Sequence, residues 1–313
     1  MLEQVLTIGF VTALLSSAVR MALPLMYAGL GETILEKTGI LNIGMEGVML
    51  SGAFFSFLAA SFAGGSLAGL LGGIAGGMLV SIIHGVLCIK LAKDQSVSGI
   101  SLNLLFLGIT SFLFKLIFGS KSYHQIATLP VVKIPLLSSI PVLGEAFFNQ
   151  DVLAYIAYLL IIAAAVFYRK TGLGLSFSAV GENPKAAEQA GIPVNRYRYA
   201  AILLNGALGG IGGAHLVLAQ LGVFNENMTS GRGYIALAAV ILGRYSPVGM
   251  FGAALIFGIA NALQIRLQAL GVPLPPQALA MLPYVFTLAA LLGSIGKSND
   301  PDGLGKIYVR GAR

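Results

Sequence analysis

What most constrains this chain is a recurrence of apolar stretches, each about twenty residues long and able to cross a hydrocarbon core of about 30 Å as a helix. They fall at 5–30, 42–63, 66–91, 97–118, 151–168, 199–221, 246–270 and 278–294. With 57% apolar and 10% charged residues, the chain holds more apolar surface than a water-soluble core can hide, and it reads as an integral membrane protein. The expected fold is all-α, a polytopic helical bundle of about 8–10 transmembrane segments. It forms one membrane domain over 1–313. A shorter apolar run, 233–243, has the length of half a span.

Two places interrupt the pattern, Gly39 to Gly47 (G-I-L-N-I-G-M-E-G) and Thr229 to Gly233 (T-S-G-R-G). Non-helical backbone at membrane depth survives only where protein buries it or a polar cavity meets it, as in the broken helices of transporters. M-E-G-V-M-L-S-G followed by 66–91 resembles Y-I-A-L-A-A-V-I-L-G followed by 246–270, which suggests two pseudo-repeated halves. Glycines at four-residue spacing (Gly65, Gly69, Gly73, Gly77; Gly206, Gly210; Gly209, Gly213) read as close helix packing.

If the spans alternate, cations gather on one side, at 90–93, 169–198, 244 and 297–313, against Lys121, Lys133 and Arg232 on the other. Positive charge accumulates on the cytoplasmic side, so loop 169–198 and the tail 295–313 are expected in the cytoplasm and 119–150 outside. That topology, rather than nucleic acid binding, accounts for the net charge of +7. The first stretch reads either as one crossing or as a broken, partly re-entrant pair, so the side of the N-terminus stays open. No small-residue cleavage site follows it, and the segment is read as retained. Cys88 is the single cysteine, which excludes an intrachain disulfide.

There is no Walker-type phosphate loop, no H-E-x-x-H and no C-x-x-C, and His84, His124 and His215 lack metal-ligand spacing. No catalytic or metal residue is assigned, and a transporter or channel component is favoured over an enzyme. Function must then lie with polar groups inside apolar spans. Asn42 and Glu46 stand at i and i+4, one face if helical. Glu46 lines a pathway or pairs with a cation or a helix end. Asn103, Asn205 and His215 serve as interhelical hydrogen bonds or as pathway contacts. Arg232 neutralises a broken-helix terminus, attracts an anionic surface outside, or is solvated at the interface. The turn Phe224 to Met228 is expected as a polar outer surface.

One helix is expected outside the bilayer, in G-E-N-P-K-A-A-E-Q-A-G-I-P (Gly181 to Pro193). Asn183 caps it, Pro184 fits the first turn, Lys185 to Ala190 form about two turns, and Gly191 with Pro193 stops it. A defined helix on a membrane chain suits contact with another protein.

Three segments carry a resemblance over about residues 15–295: A-L-P-L-M-Y-A-G-L-G-E-T-I-L-E-K-T-G-I-L-N-I-G-M-E-G-V-M-L-S-G-A, the loop above, and Y-I-A-L-A-A-V-I-L-G-R-Y-S-P-V-G. They are similar to permease subunits of bacterial ATP-binding-cassette (ABC) importers, in the class serving nucleosides, ribose, other simple sugars and branched-chain amino acids. L-N-I-G-M-E-G looks most like the nucleoside branch. The resemblance implies a permease of the cytoplasmic (inner) membrane with no ATPase site of its own, ATP and Mg being held by a cytoplasmic ABC ATPase. It implies a second, longer permease chain and an extracytoplasmic substrate-binding protein as further partners. It also makes Asn183, Pro184, Lys185, Ala186, Ala187, Glu188, Ala190 and Gly191 the expected ATPase-coupling residues. Asn42, Glu46 and Asn103 are carried as pathway candidates from the cost of burying them. A ribose or simple-sugar permease is the alternative cargo, and a self-sufficient secondary transporter or channel the alternative class.

Overall fold

The computed structural model describes residues 8–119, 125–270, 275–283, 285, 286, 288 and 299–309. Residues 284, 287 and 289–294 of the expected span 278–294 lie outside these, as do Lys121, His124, Lys297, Arg310 and Arg313. Among the described residues, seven helices are long and apolar enough to cross a membrane. They are α1 (Ile8–Glu36), α2 (Met45–Ala63), α3 (Ser66–Gly85, continued by a π turn to Lys90), α4 (Gln95–Phe118), α6 (Val152–Lys170), α9 (Val194–His215, continued by a π turn to Leu221) and α11 (Pro247–Ala269). Shorter helices are α5 (Leu143–Phe148), α7 (Gly172–Glu182), α8 (Pro184–Gln189), α10 (Arg232–Leu242) and α12 (Pro276–Ala280). A small antiparallel ribbon pairs β1 (Val131–Lys133) with β2 (Asn149–Asp151), within the long loop before α6.

The first apolar stretch is one continuous helix that runs past residue 30 to Glu36, with Pro24 inside it. The run 233–243 is a half-length helix: the 11 residues of α10 rise about 16 Å, half the thickness of the hydrocarbon core.

The glycine spacing marks where α2, α3 and α9 meet. A Cβ on Gly210 would strike the carbonyl of Gly73, one on Gly77 the carbonyl of Gly206, and one on Gly213 the carbonyl of Met49. Lipid offers helices no hydrophobic drive to associate, so backbone approach of this kind supplies the dispersion that holds them. The buried aliphatic side chains of α1, α9, α10 and α11 complete the core around that seam.

Two polar ends result. One, called here the loop end, gathers the turn at 37–39, the start of α4, loop 169–198 and the segment 300–309. Gly303 N donates to Gly181 O at 2.9 Å, Gly305 N to Gly39 O at 3.1 Å, and Gln95 Nε2 to Lys306 O at 3.5 Å. The far end gathers the start of α1, residues 125–151 and 222–228. There Gln150 Nε2 donates to Ser16 O at 3.2 Å, Ile126 N to Gly222 O at 2.8 Å, and Lys115 pairs with Glu226 at 3.0 Å. The helix α1 therefore begins at the end opposite the loop. Of residues 224–228, Asn225, Glu226 and Asn227 are exposed as expected of a polar surface, while Phe224 is buried, its ring 5.1 Å from Phe114 and 5.4 Å from Phe54. An aromatic side chain at the mouth of an apolar bundle gains more by filling it than by staying in water.

Candidate functional site

Both interruptions in the sequence are real breaks, and they meet. The chain leaves α1 at Glu36, turns at Gly39 with φ +81°, and enters the bundle without helical hydrogen bonds until α2 begins at Met45. From the other side, residues 222–231 lead to α10, which starts at Arg232 after Gly231 at φ +85°. The Glu46 carboxylate joins them: Oε1 accepts from Gly231 N and Oε2 from Gly233 N, each at 2.7 Å. A side chain on Gly233 would collide with the Glu46 backbone nitrogen. From that shared start α2 runs to the far end and α10 to the loop end, so the two segments read as repeats diverge in opposite directions.

An unpaired backbone group inside a bilayer costs several kcal/mol, so the break at 37–44 must find partners elsewhere. It finds them in side chains from four helices. Arg198 Nε (α9) donates to Thr38 O at 3.1 Å. Gln95 Oε1 (α4) accepts from Leu41 N at 2.7 Å, and His84 Nε2 (α3) meets Leu41 O at 3.0 Å. Glu32 Oε1 (α1) accepts from Asn42 N at 3.0 Å, and Asn103 Nδ2 (α4) donates to Ile43 O at 2.9 Å.

The same accounting takes in the pathway candidates. Asn42, Glu46 and Asn103 are brought together and are buried, and each is bonded to protein. Asn103 Oδ1 accepts from Gly47 N at 2.7 Å while its Nδ2 also reaches the Tyr234 hydroxyl at 2.8 Å. Asn42 Oδ1 accepts from Gly44 N at 2.9 Å, and Asn42 Nδ2 donates to Asn205 Oδ1 at 3.0 Å. Asn205 completes a network, donating to Glu32 Oε2 at 2.7 Å and accepting from Ser81 Oγ at 3.2 Å. Of the two readings of Glu46, the geometry supports the helix end. Arg232 also serves a broken terminus, donating through Nη1 to Met228 O at 2.9 Å and Thr229 O at 3.1 Å. His215 lies apart, its Nε2 3.2 Å from Asp151 Oδ2 at the start of α6.

Sequence reasoning missed Glu32 and Gln95. Glu32 was legible as a carboxylate four residues from Glu36 in G-E-T-I-L-E, beyond the boundary drawn for the first stretch. Gln95 carried no local signal, since its partner is 54 residues away.

The second candidate region is the loop helix. Asn183 Oδ1 accepts from Ala186 N at 3.0 Å and Pro184 occupies the first turn of α8. At the other end Gly191 is at φ +83°, with Ile192 N donating to Ala187 O at 3.0 Å and Gly191 N to Glu188 O at 2.9 Å. That pair is a Schellman stop, which the left-handed glycine makes possible. Lys185, Ala186, Gln189 and Ala190 are exposed. Ala187 faces inward, buried with Val180, Val194 and Tyr308, and Glu188 Oε2 accepts from the Tyr308 hydroxyl at 2.7 Å. The helix α7 in front of it was not foreseen; it ends at Glu182 with Gly181 pressed on the backbone of Lys37, where any Cβ would strike the Lys37 carbonyl. Burial lowers the Lys37 ammonium below its usual range, partly offset by Glu182, and its Nζ lies 5.3 Å over the Tyr168 ring. The break thus meets the loop through Gly181, at the end of α7 and three residues before α8.

Residues 14–292 match the family model described as branched-chain amino acid transport system / permease component. Over 305 residues the chain is 39% identical to the guanosine ABC transporter permease protein NupQ of Bacillus subtilis (strain 168), covering 93% of this chain and 95% of that one. It is 39% identical to the putative glucose ABC transporter permease protein TsgC13 of Haloferax volcanii, over 86% of this chain and 82% of the other. To the nucleoside ABC transporter permease protein NupC of Lactococcus lactis subsp. cremoris it is 36% identical, over 92% and 93%. In fold it is similar to PsaBC from Streptococcus pneumoniae, solved with a Fab, at a TM-score of 0.50 and 16% identity, covering 88% of this chain and 90% of that one.

Proposed function

We propose that this chain, which belongs to the family of branched-chain amino acid transport system permease components, is the membrane-spanning subunit of an ABC importer for nucleosides. The observation that carries this reading is the capped helix α8, which follows directly on α7, whose Gly181 rests on the loop end of a break that reaches Glu46 inside the bundle. Its near full-length similarity to the guanosine and nucleoside permeases supports the cargo. A simple sugar is the second reading, favoured by the similarity to the glucose permease.

In this proposal the chain lies in the cytoplasmic membrane of a bacterium with loop 169–198 and the tail in the cytoplasm. A separate ABC ATPase holds ATP and Mg and docks on Asn183 to Gly191. A second, longer permease chain completes the pathway, and an extracytoplasmic binding protein delivers the solute. Closure of the ATPase moves α8, and the motion enters the bundle at the turn 37–39 through Gly181 against Lys37 and through Arg198 on Thr38. The break at 37–44 then passes it to the shared start of α2 and α10. Reversing a conformational preference from 1:99 to 99:1 takes about 5.5 kcal/mol of differential binding, a quantity that nucleotide can supply and a neutral solute alone does not.

The test is reconstitution of the chain with its ATPase, second permease and binding protein in liposomes. ATP-dependent uptake of labelled guanosine, not competed by excess glucose, is expected. Uptake competed by glucose and not by nucleosides selects the sugar reading, and ion-driven uptake by this chain alone overturns the importer.

A further inference from the structure

Residues 302–309 form a strap along the loop helix. Asp302 N donates to Glu182 Oε2 at 3.2 Å, Gly303 N to Gly181 O at 2.9 Å and Gly305 N to Gly39 O at 3.1 Å. Tyr308 then plugs into the core under α8, its hydroxyl on Glu188 and its ring 5.3 Å from the Arg198 guanidinium. A segment pinned at this many points has given up conformational entropy that a free one keeps.

Beside the buried Tyr308, the strap turns two apolar side chains outward: Ile307 is 55% exposed and Val309 52%. Exposed aliphatic groups along the spans of this protein face lipid and need no further account. These two stand at a polar end, next to Glu182, Lys185, Asp302 and Lys306, around a cavity of about 470 Å³ between the strap and the start of α8. Apolar residues ringed by charges of both signs have the make-up of a protein interface, with an apolar centre and a polar rim. A lipid headgroup would call for cations alone.

We infer that the strap 302–309 is the second half of the ATPase docking surface, continuous with the exposed face of α8, and that Ile307 and Val309 are its apolar contacts. This rests on the reading that α8 docks an ATPase. The partner chemistry follows: a surface with an apolar patch facing the strap and polar groups of both signs around it.

The experiment uses the full chain in detergent and its purified ATPase, with affinity read by biolayer interferometry. Three forms are compared: wild type, the double substitution Ile307→Glu with Val309→Glu, and Lys185→Glu on α8. All carry the buried Cys88, whose resistance to maleimide reports that each is folded. Both variants are expected to lose at least tenfold in ATPase affinity while Cys88 stays protected. If Lys185→Glu loses affinity and the double variant binds as wild type does, the strap is not part of the interface and the docking role of α8 survives. If neither variant changes, the docking role of α8 falls and the strap inference with it. A double variant that keeps its ATPase but loses self-association in light scattering assigns the face to a second copy and also overturns the inference.

Discussion

Replacing Glu46 by Gln tests whether its carboxylate is there to hold two helices together. In the native protein the two oxygens accept from Gly231 N and Gly233 N at 2.7 Å each. Hydrogen bonds to a charged acceptor contribute about 1.5–3 kcal/mol each, and a donor left buried without a partner costs about 1–3 kcal/mol. Gln keeps one acceptor oxygen but turns an NH2 group toward the other backbone N–H, so one bond is lost and one donor orphaned. The negative charge facing the start of α10 goes with it, a further fraction of a kcal/mol. The lost bond and the orphaned donor are one exchange and count once, which with the charge gives a destabilisation of about 2–4 kcal/mol. At about 2–4 °C per kcal/mol, the melting temperature should fall by roughly 5–15 °C. The single buried Cys88 gives the assay, because a thiol-reactive dye reports only when the chain opens. Glu46→Gln melting within a degree of wild type would refute the reasoning. If such a protein also failed to transport, Glu46 would have to act on the solute instead.

Asn205→Leu removes the one side chain that bonds Glu32, Asn42 and Ser81 together; leaving buried polar groups unpaired should cost about 2–4 kcal/mol in the same dye assay. Ala187→Phe has no space among Val180, Val194 and Tyr308, so it should lift α8, leaving the reconstituted complex able to hydrolyse ATP while solute uptake falls at least tenfold. Burial alone would raise the Asp151 carboxyl, but the hydrogen bonds from His215, Leu153 and Ala154 outweigh it and hold it below the usual range. A depressed carboxyl stabilises above its unfolded value, about 3.9, and that contribution is lost as pH falls through the folded value. Melting followed from pH 6 down to 2.5 should therefore drop more steeply for wild type than for Asp151→Asn.

The loop helix was fully legible in the sequence because every signal it needs is local: Asn183, Pro184 and Gly191 act within four residues of the groups they satisfy. The breaks were legible as well, since glycines and a carboxylate in an apolar run advertise irregular backbone. The role of the polar residues inside was not. Asn103, Glu46 and Asn205 looked alike from sequence, as costly groups in lipid, and cost alone does not say whether the partner is a solute or the protein's own backbone. The answer depends on contacts such as Glu46 to Gly233, separated by 187 residues. The small ribbon of β1 and β2 escaped for a similar reason, its strands being three residues each and set in a loop without alternation.

What the structure adds is a physical reason for the two features to lie in one chain. Broken backbone inside a membrane is stable only if other helices donate to it, and each donor then ties the break to its own helix. Segment 37–44 is held by side chains of α1, α3, α4 and α9, and it emerges against Gly181 of α7 at the loop end. A continuous helix at this position would satisfy itself and slide past its neighbours as a rod. The same hydrogen bonds that make the break tolerable also tie it to the loop, because a shift of α7 at Gly181 or of α9 at Arg198 would disturb Gly39, Thr38 and the groups that hold them. Glu46 stands at the inner end of that line, where two helices of opposite direction share one carboxylate, and a displacement arriving there acts on both at once.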